Sequence, residues 1–320
     1  MSANHEEVVD FLCVIPSLSA DSERMEQCLT GVRRSLPEKS RIVVVWNSPE
    51  PFPAEEKGIV VYRPGLNLGY GPAINVVAER YPSEFIWAVQ DDMTFLEPYL
   101  SVFATAMRTD DSLAVLTPAL VGTGLAGRFE PRGGEILADG SLRKRQPSWD
   151  TRLLGEVEFV SGGWVPLSGA LIRTSSFLAI GGFDPAFFPV GHSDVDLCWR
   201  MNNAGFSVGA VVNYAAIHQK AASTPSSLGI YLYRENGAYF NNKVGGGDPP
   251  DQVVDVPPEL LASVAAAASL KLLGYAKFVE ERYKKDKGTV RARLRRSLGS
   301  KWDVVTQIFC KSGNGSIQGR

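Results

Sequence analysis

Short apolar runs alternate with helical patterns through the first part of the chain. Phe11-Leu-Cys-Val-Ile15, Arg41-Ile-Val-Val-Val-Trp46, Gly58-Ile-Val-Val-Tyr62 and Phe85-Ile-Trp-Ala-Val89 are short and mostly apolar. Strands buried on both faces of a parallel sheet read this way. Residues 21–36 carry apolar side chains at Met25, Cys28, Leu29, Val32 and Leu36, a helical period. Residues 72–81 read as a helix after a glycine-rich loop, and 96–107 as another. This order predicts an α/β fold, with a mostly parallel, doubly wound central sheet flanked by helices. Ligands in such sheets sit at the carboxyl ends of the strands. Ser17, Asn47, Asn67 and Asp92 all fall at those ends.

With 320 residues, 44% of them hydrophobic, the chain can bury a full core. A formal net charge of -2 argues against bulk nucleic-acid binding. Cys13, Cys28, Cys198 and Cys310 are scattered, without CxxC or zinc spacing, which fits a reducing cytoplasm. Residues 1–7 are polar and acidic and do not read as a signal peptide. The alanine-rich stretch 260–273 is interrupted by Ser263, Ser269 and Lys271 and falls short of a membrane span.

The second half has a different texture. Residues 113–116 read as a strand, and the pattern then breaks up between 122 and 147. Residues 157–172 are apolar but carry Gly162, Gly163 and Gly169, so the backbone there approaches a ligand or another strand closely. A helix is expected over 194–205, a strand over 208–212 leading to His218, and a helix over 229–243. Gly245-Gly-Gly-Asp-Pro-Pro250 reads as a hinge. Between Arg282 and Lys301 the tail beyond it holds nine Lys or Arg and one acid. That tail is a solvated helix face, a peripheral membrane contact or a homodimer element.

Four groups of residues carry candidate chemistry. Gln90-Asp-Asp92 closes an apolar strand, either as a plain turn or as the carboxylates of a divalent cation site that bridges phosphates. Asn67-Leu-Gly-Tyr-Gly-Pro-Ala-Ile-Asn75 is a glycine-rich loop entering a helix, able to cradle phosphate or simply to begin the helix. It is neither GxGxxG nor a Walker A loop. Asp194 and Asp196 follow a Gly/Pro/aromatic loop at a helix start. Asp194 is a helix cap or a general base, and Asp196 can pair with Arg200 four residues on. His218 follows a strand and is a packing residue or a metal ligand. His192 adjoins the proposed base.

Taken in order, these segments resemble family 2 glycosyltransferases of the GT-A fold, in particular the rhamnosyltransferase-like bacterial branch. The resemblance runs from Phe11 to Lys243. Cys13-Val-Ile-Pro16, Val45-Trp-Asn-Ser48, Asn67-Leu-Gly…Asn75 and Gln90-Asp-Asp92 are similar to the family's successive motifs. Gly181-Gly-Phe-Asp through Asp194-Val-Asp-Leu-Cys-Trp-Arg200 is similar to its most specific block. His218, Ser223 and Tyr231…Arg234-Glu-Asn236 are similar to the segment that follows.

The resemblance implies transfer of a sugar from a nucleotide-diphosphate sugar, a UDP- or dTDP-hexose or deoxyhexose, to an acceptor hydroxyl with inversion. The acceptor would be a glycan, a lipid-linked molecule or a small molecule. Asp194 would be the base. Asp92 and His218 would hold Mg²⁺ or Mn²⁺. Ser17, Asn47, Asn67, Gly69, Asn75 and Asp91 would lie around the donor nucleotide. Gly162, Gly163, Trp164, His192, Asp196 and Arg200 would lie around the donor sugar and acceptor, with Asp196 and Arg200 supporting the base. The transferase domain would span 1–244, with a donor half at 8–120 and an acceptor half at 121–244. Residues 245–320 would form a hinge and a basic helical extension. The protein would be cytoplasmic or sit at the inner face of the membrane. Gln90, Trp46 and Ser193 stand where the family often has Asp, Asp and Glu.

Two rivals remain at the level of sequence. A nucleotidyltransferase would need a basic glycine-rich loop near the first strand, and Pro16-Ser-Leu-Ser-Ala-Asp21 has neither Lys nor Arg. An inactive nucleotide- or glycan-binding protein of the same fold is the other.

Overall fold

The computed structural model describes residues 8–122, 133–144, 151–219 and 226–246, together with Lys271. The expected hinge and basic extension at 245–320 therefore lie outside the described residues, except for Gly245, Gly246 and Lys271.

The chain opens with β1 (Val9–Ser17), α1 (Ser22–Ser35), β2 (Ser40–Trp46), β3 (Val60–Tyr62), α2 (Gly71–Arg80), β4 (Ser83–Ala88), β5 (Met93–Phe95) and α3 (Leu100–Thr109). Then come β6 (Leu113–Gly122), β7 (Gly134–Ile136), β8 (Leu142–Lys144), β9 (Arg152–Leu154), β10 (Val157–Gly162) and β11 (Ala170–Arg173). The chain continues through α4 (Thr174–Ala179), a 3-10 turn at Pro185–Phe187, α5 (Ser193–Asn203), β12 (Ser207–His218) and α6 (Ser226–Val244).

The main sheet runs in the order β3-β2-β1-β4-β11-β6-β12-β10-β9, with β5 on the far end of β12 and β7-β8 as a separate hairpin. β3, β2, β1 and β4 are parallel, as expected. The apolar runs are continuous because the sheet is buried on both faces. Phe11, Cys13 and Ile15 enter one layer with Met25, Cys28 and Leu29 of α1 and Phe103 of α3. Leu12 and Val14 enter the other with Ile74 and Val77 of α2 and Leu197 and Met201 of α5. Each such fully buried Leu or Phe contributes roughly 1.5–3 kcal/mol.

The sheet is mixed beyond β4. β11 inserts antiparallel between β4 and β6, and β10 and β9 add antiparallel strands at the edge. The single apolar stretch expected over 157–172 is thus two strands, β10 and β11. The strand expected over 208–212 is the 12-residue β12, which runs parallel to β6 with an irregularity between Ala210 and Ala215. Exposed Asn213 sits there and binds the backbone of Glu156 and Glu158 through its side chain, which interrupts the apolar pattern.

β5 was not legible from sequence. Its three residues pair with the end of β12, matching Met93 with His218, and the Gln219 N–H donates to the Asp92 carbonyl at 3.0 Å. This pairing brings a histidine and an acid more than a hundred residues apart to one place.

Among the described residues, no helix is long and apolar enough to cross a membrane.

Candidate active site

The loops at the carboxyl ends of β1, β2 and β4 meet. The Asn47 N–H donates to the Ser17 carbonyl at 2.8 Å. The Ser17 hydroxyl donates to Asp91, and Arg24 from the first turn of α1 pairs with the same carboxylate oxygen at 3.1 Å. Burial pushes the Asp91 carboxyl up, against the pull of Arg24 and Ser17. Arg24 was not singled out from sequence; its position just inside the first helix carries no signal without the fold.

Next to Asp91, Asp92 is buried, and its Oδ1 lies 3.2 Å from His218 Nε2. A carboxylate and an imidazole thus converge at the strand ends. Among the described residues, no group of three or more His, Cys, Asp or Glu side chains is arranged to hold a metal. The Asp92–His218 pair nonetheless suits a hard cation that takes its remaining ligands from phosphate oxygens.

Three amides of the glycine-rich loop are taken up within the protein. The Leu68 N–H goes to Asn47 Oδ1, the Gly69 N–H to Asn67 Oδ1 and the Tyr70 N–H to the Pro189 carbonyl. Asn47 also donates to the Gly69 carbonyl at 3.3 Å. Gly69 has φ +72°, and a Cβ there would meet the Pro189 carbonyl oxygen at 2.8 Å, so the glycine allows close packing of loop on loop.

Asn75, expected beside the nucleotide, instead clamps the Phe183 backbone. Its amide donates to the Phe183 carbonyl and accepts from the Phe183 N–H, both at 2.8 Å. Asn75→Ala strands two buried backbone groups, so a loss of about 1–3 kcal/mol is expected in urea unfolding. An unchanged unfolding midpoint would refute the clamp.

Gly162 and Gly163 were expected to line a sugar pocket. Their closeness is to another strand. The Gly163 N–H donates to the Gly134 carbonyl at 2.7 Å, and a Cβ on Gly163 would meet the Ile136 nitrogen at 2.7 Å. Trp164 packs against the cluster of Phe187, Val195 and Phe240, of which Val195 lies on α5.

The helix carrying the paired acids is capped by His192, not by Asp194. His192 has φ +61°, and its carbonyl accepts the Asp196 N–H at 2.9 Å. Its ring packs against Tyr233 and Phe240 of α6 and over Gly237. Burial lowers its pKa.

The three acids of this region are treated differently. Asp196 is completely buried; Arg200 pairs with it at 2.8 Å and Lys243 of α6 at 2.7 Å. The expected Asp196–Arg200 pair is present. Both Asp196 oxygens are engaged by cations, so it is not a contact for a sugar, and Arg200 is committed to it and to the Ile180 carbonyl. Asp184 is opposed by burial but held low by Lys243 at 2.8 Å, helped by Tyr239.

Asp194 has no cation partner among the described residues and accepts from backbone N–H groups, its own and that of Val195, the latter at 2.9 Å. A first-turn position on a helix favours the charged form by about 0.3–1 kcal/mol. Burial outweighs that and pushes Asp194 up to about 6. Its charge in turn raises Tyr70 and Tyr233, secondary to their own burial. Tyr70 belongs to the glycine-rich loop, and its hydroxyl donates to the Leu167 carbonyl at 3.2 Å. Bonds therefore link the glycine-rich loop through Asn47 and Ser17 to Asp91, with Asp92 and His218 next to it, and Asp194 lies close enough to Tyr70 of that loop to act on it electrostatically. Tyr70, Tyr233, Lys243 and Asp184 were not picked out from sequence.

Solved structures share this architecture. GalNAc-T7, solved with UDP, GalNAc and Mn²⁺, is similar over 78% of this chain, with a TM-score of 0.58 and 12% identity. The fold is GT-A-like. The chain spans 53% of the length of GalNAc-T7. S. aureus TarS 1-349, solved with UDP-GlcNAc, is similar over 93% of this chain and 81% of its own, with a TM-score of 0.49 and 14% identity. The mannosyltransferase PcManGT from Pyrobaculum calidifontis, solved with GDP-Man and Mn²⁺, covers 94% and 85%, with a TM-score of 0.48 and 12% identity. No protein-family model matches the chain, and no curated protein matches it.

Proposed function

We propose that this protein is an inverting glycosyltransferase that moves a sugar from a nucleotide-diphosphate donor, a UDP- or dTDP-hexose or deoxyhexose, to an acceptor hydroxyl. The observation that carries the reading is Asp194. Of the three acids around α5 it alone lacks a cation among the described residues, and its carboxyl is pushed up to about 6 at the rim of a GT-A-like sheet. An unpaired acid tuned toward neutrality is what a general base requires. GalNAc-T7, of similar fold, was solved with UDP, GalNAc and Mn²⁺, which supports a nucleotide donor. The sequence motifs favour the rhamnosyltransferase-like branch of family 2. One transferase domain over 1–244, with donor half 8–120 and acceptor half 121–244, follows from that reading.

The chemistry follows from the residues. Asp194 takes the proton of the acceptor hydroxyl as its oxygen attacks the anomeric carbon. The nucleoside diphosphate leaves from the opposite face, so the configuration inverts. Ser17, Arg24 and Asp91 form the floor against which the nucleotide is placed, and Asn47 and Asn67 hold the adjoining loop. Asp92 and His218 would hold a divalent cation, Mg²⁺ or Mn²⁺. Such a cation, when bound, offsets negative charge on the departing diphosphate. Positioning two substrates at these strand ends can supply about 7–11 kcal/mol of the barrier. Cys13, Cys28 and Cys198 are free and buried, which supports a cytoplasmic setting.

Donor binding tests the cation pair. Titration with UDP- and dTDP-sugars should show Mn²⁺-dependent heat that chelator removes and that Asp92→Ala and His218→Ala each weaken, with the melting temperature of the free protein little changed. Tight donor binding unaffected by chelator would remove both residues as metal ligands.

A further inference from the structure

Residues 186–191 run from the 3-10 turn toward α5 with little regular structure beyond the turn, yet every carbonyl is bonded from outside the loop. Lys271 Nζ donates to the Ala186 and Phe188 carbonyls, each at 2.6 Å. Asn236 Nδ2 of α6 donates to Phe187, Val190 and Gly191 at 3.2, 2.9 and 2.8 Å. The Tyr70 N–H takes Pro189. Lys271 also donates to Asn236 Oδ1 at 2.5 Å, which joins the two donors into one clamp. The loop runs directly into His192, the cap of the helix that carries Asp194.

We propose that Lys271 is a positioning residue for Asp194, a latch through which the C-terminal segment sets the loop that presents the base. Charge-assisted bonds of this kind are roughly twice as strong as neutral ones. The acceptors at Lys271 are neutral carbonyl and amide oxygens, so the ammonium is not there to neutralise an adjacent acid. Burial pushes it down to about 7, against the more distant charges of Asp184 and Glu235. Asn236 cannot replace it, since its amide nitrogen already serves three carbonyls. Nothing local signals this link: Lys271 sits in an alanine-rich stretch, 83 to 85 residues from the carbonyls it holds.

The kinetic half of this proposal rests on Asp194 being the base; the structural half does not. The full chain with Lys271→Ala is the test, read first by hydrogen exchange. Amide protection over residues 188–196 should fall roughly tenfold or more while β1 and β4 keep theirs. With donor sugar, kcat should fall roughly tenfold or more, because a small displacement of a catalytic group is costly. The donor KM should stay close to wild type, and millimolar propylammonium should restore part of both losses. Wild-type protection, or local loss of protection with kcat unchanged, would overturn the proposal. Loss of protection in β1 and β4 as well would overturn it in favour of a general stability role. If wild type turns over no nucleotide sugar, the transferase reading fails, and the exchange and propylammonium results alone decide the latch.

Discussion

Asp194→Asn is expected to lower kcat by about 10²–10⁴-fold, the usual contribution of a positioned general base. The donor KM should change little, because the base meets the acceptor in the transition state and not the nucleotide. The pH dependence carries a sign. The base works ionised, so wild-type kcat/KM should rise through about pH 6 and level off above it, following the raised Asp194 carboxyl. The Asn variant should lose that limb. Stability runs the other way. A carboxyl whose folded pKa lies above its usual 3.8 holds its proton more tightly in the native state, so its contribution falls as pH rises from about 4 through 6. Asp194→Asn should therefore be no less stable than wild type at neutral pH, as is common where a site is built at the expense of stability. A variant that loses activity by unfolding would contradict the assignment.

Asp196→Ala should do the opposite and damage the fold. Asp196 is fully buried between Arg200 and Lys243. Removing one partner of a buried ion pair typically costs about 3–5 kcal/mol, because the remaining charge stays buried and uncompensated. Lys243 keeps Asp184 at 2.8 Å, so Arg200 bears most of the loss. We expect the low end of that range in denaturant unfolding, with activity falling in proportion to the folded fraction. Together the two variants separate neighbouring acids on one helix turn, one for chemistry and one for architecture. A stable Asp196→Ala that is inactive would reverse those roles.

The parts that could be read in the sequence share one property: local periodicity. The parallel strands and their helices came from apolar runs and the 3.6-residue spacing of α1. The Asp196–Arg200 pair came from an i,i+4 spacing on one helix face. What could not be read depends on contacts distant in sequence. β5 is three residues long and exists because the end of β12 pairs with it. The family resemblance places Asn75 beside the nucleotide, but its partner is Phe183, 108 residues away. The glycine-rich loop could be read as a phosphate cradle or as a plain helix start, because sequence does not show that Pro189, Asn47 and Asn67 occupy three of its amides. Gly162 and Gly163 signalled close approach correctly, but the neighbour is a strand. Lys243 and Asp184 meet only because α6 crosses the loop before α5.

The most direct measurement is release of nucleoside diphosphate from a panel of UDP-, dTDP- and GDP-sugars by the full chain, with Mg²⁺ or Mn²⁺ and with chelator, for wild type and Asp194→Asn. Release is expected from a UDP- or dTDP-sugar, strongly reduced by Asp194→Asn when an acceptor hydroxyl is supplied. Release from none of the donors, with no metal-dependent donor binding, would contradict it and leave a nucleotide- or glycan-binding protein that keeps the fold without the reaction.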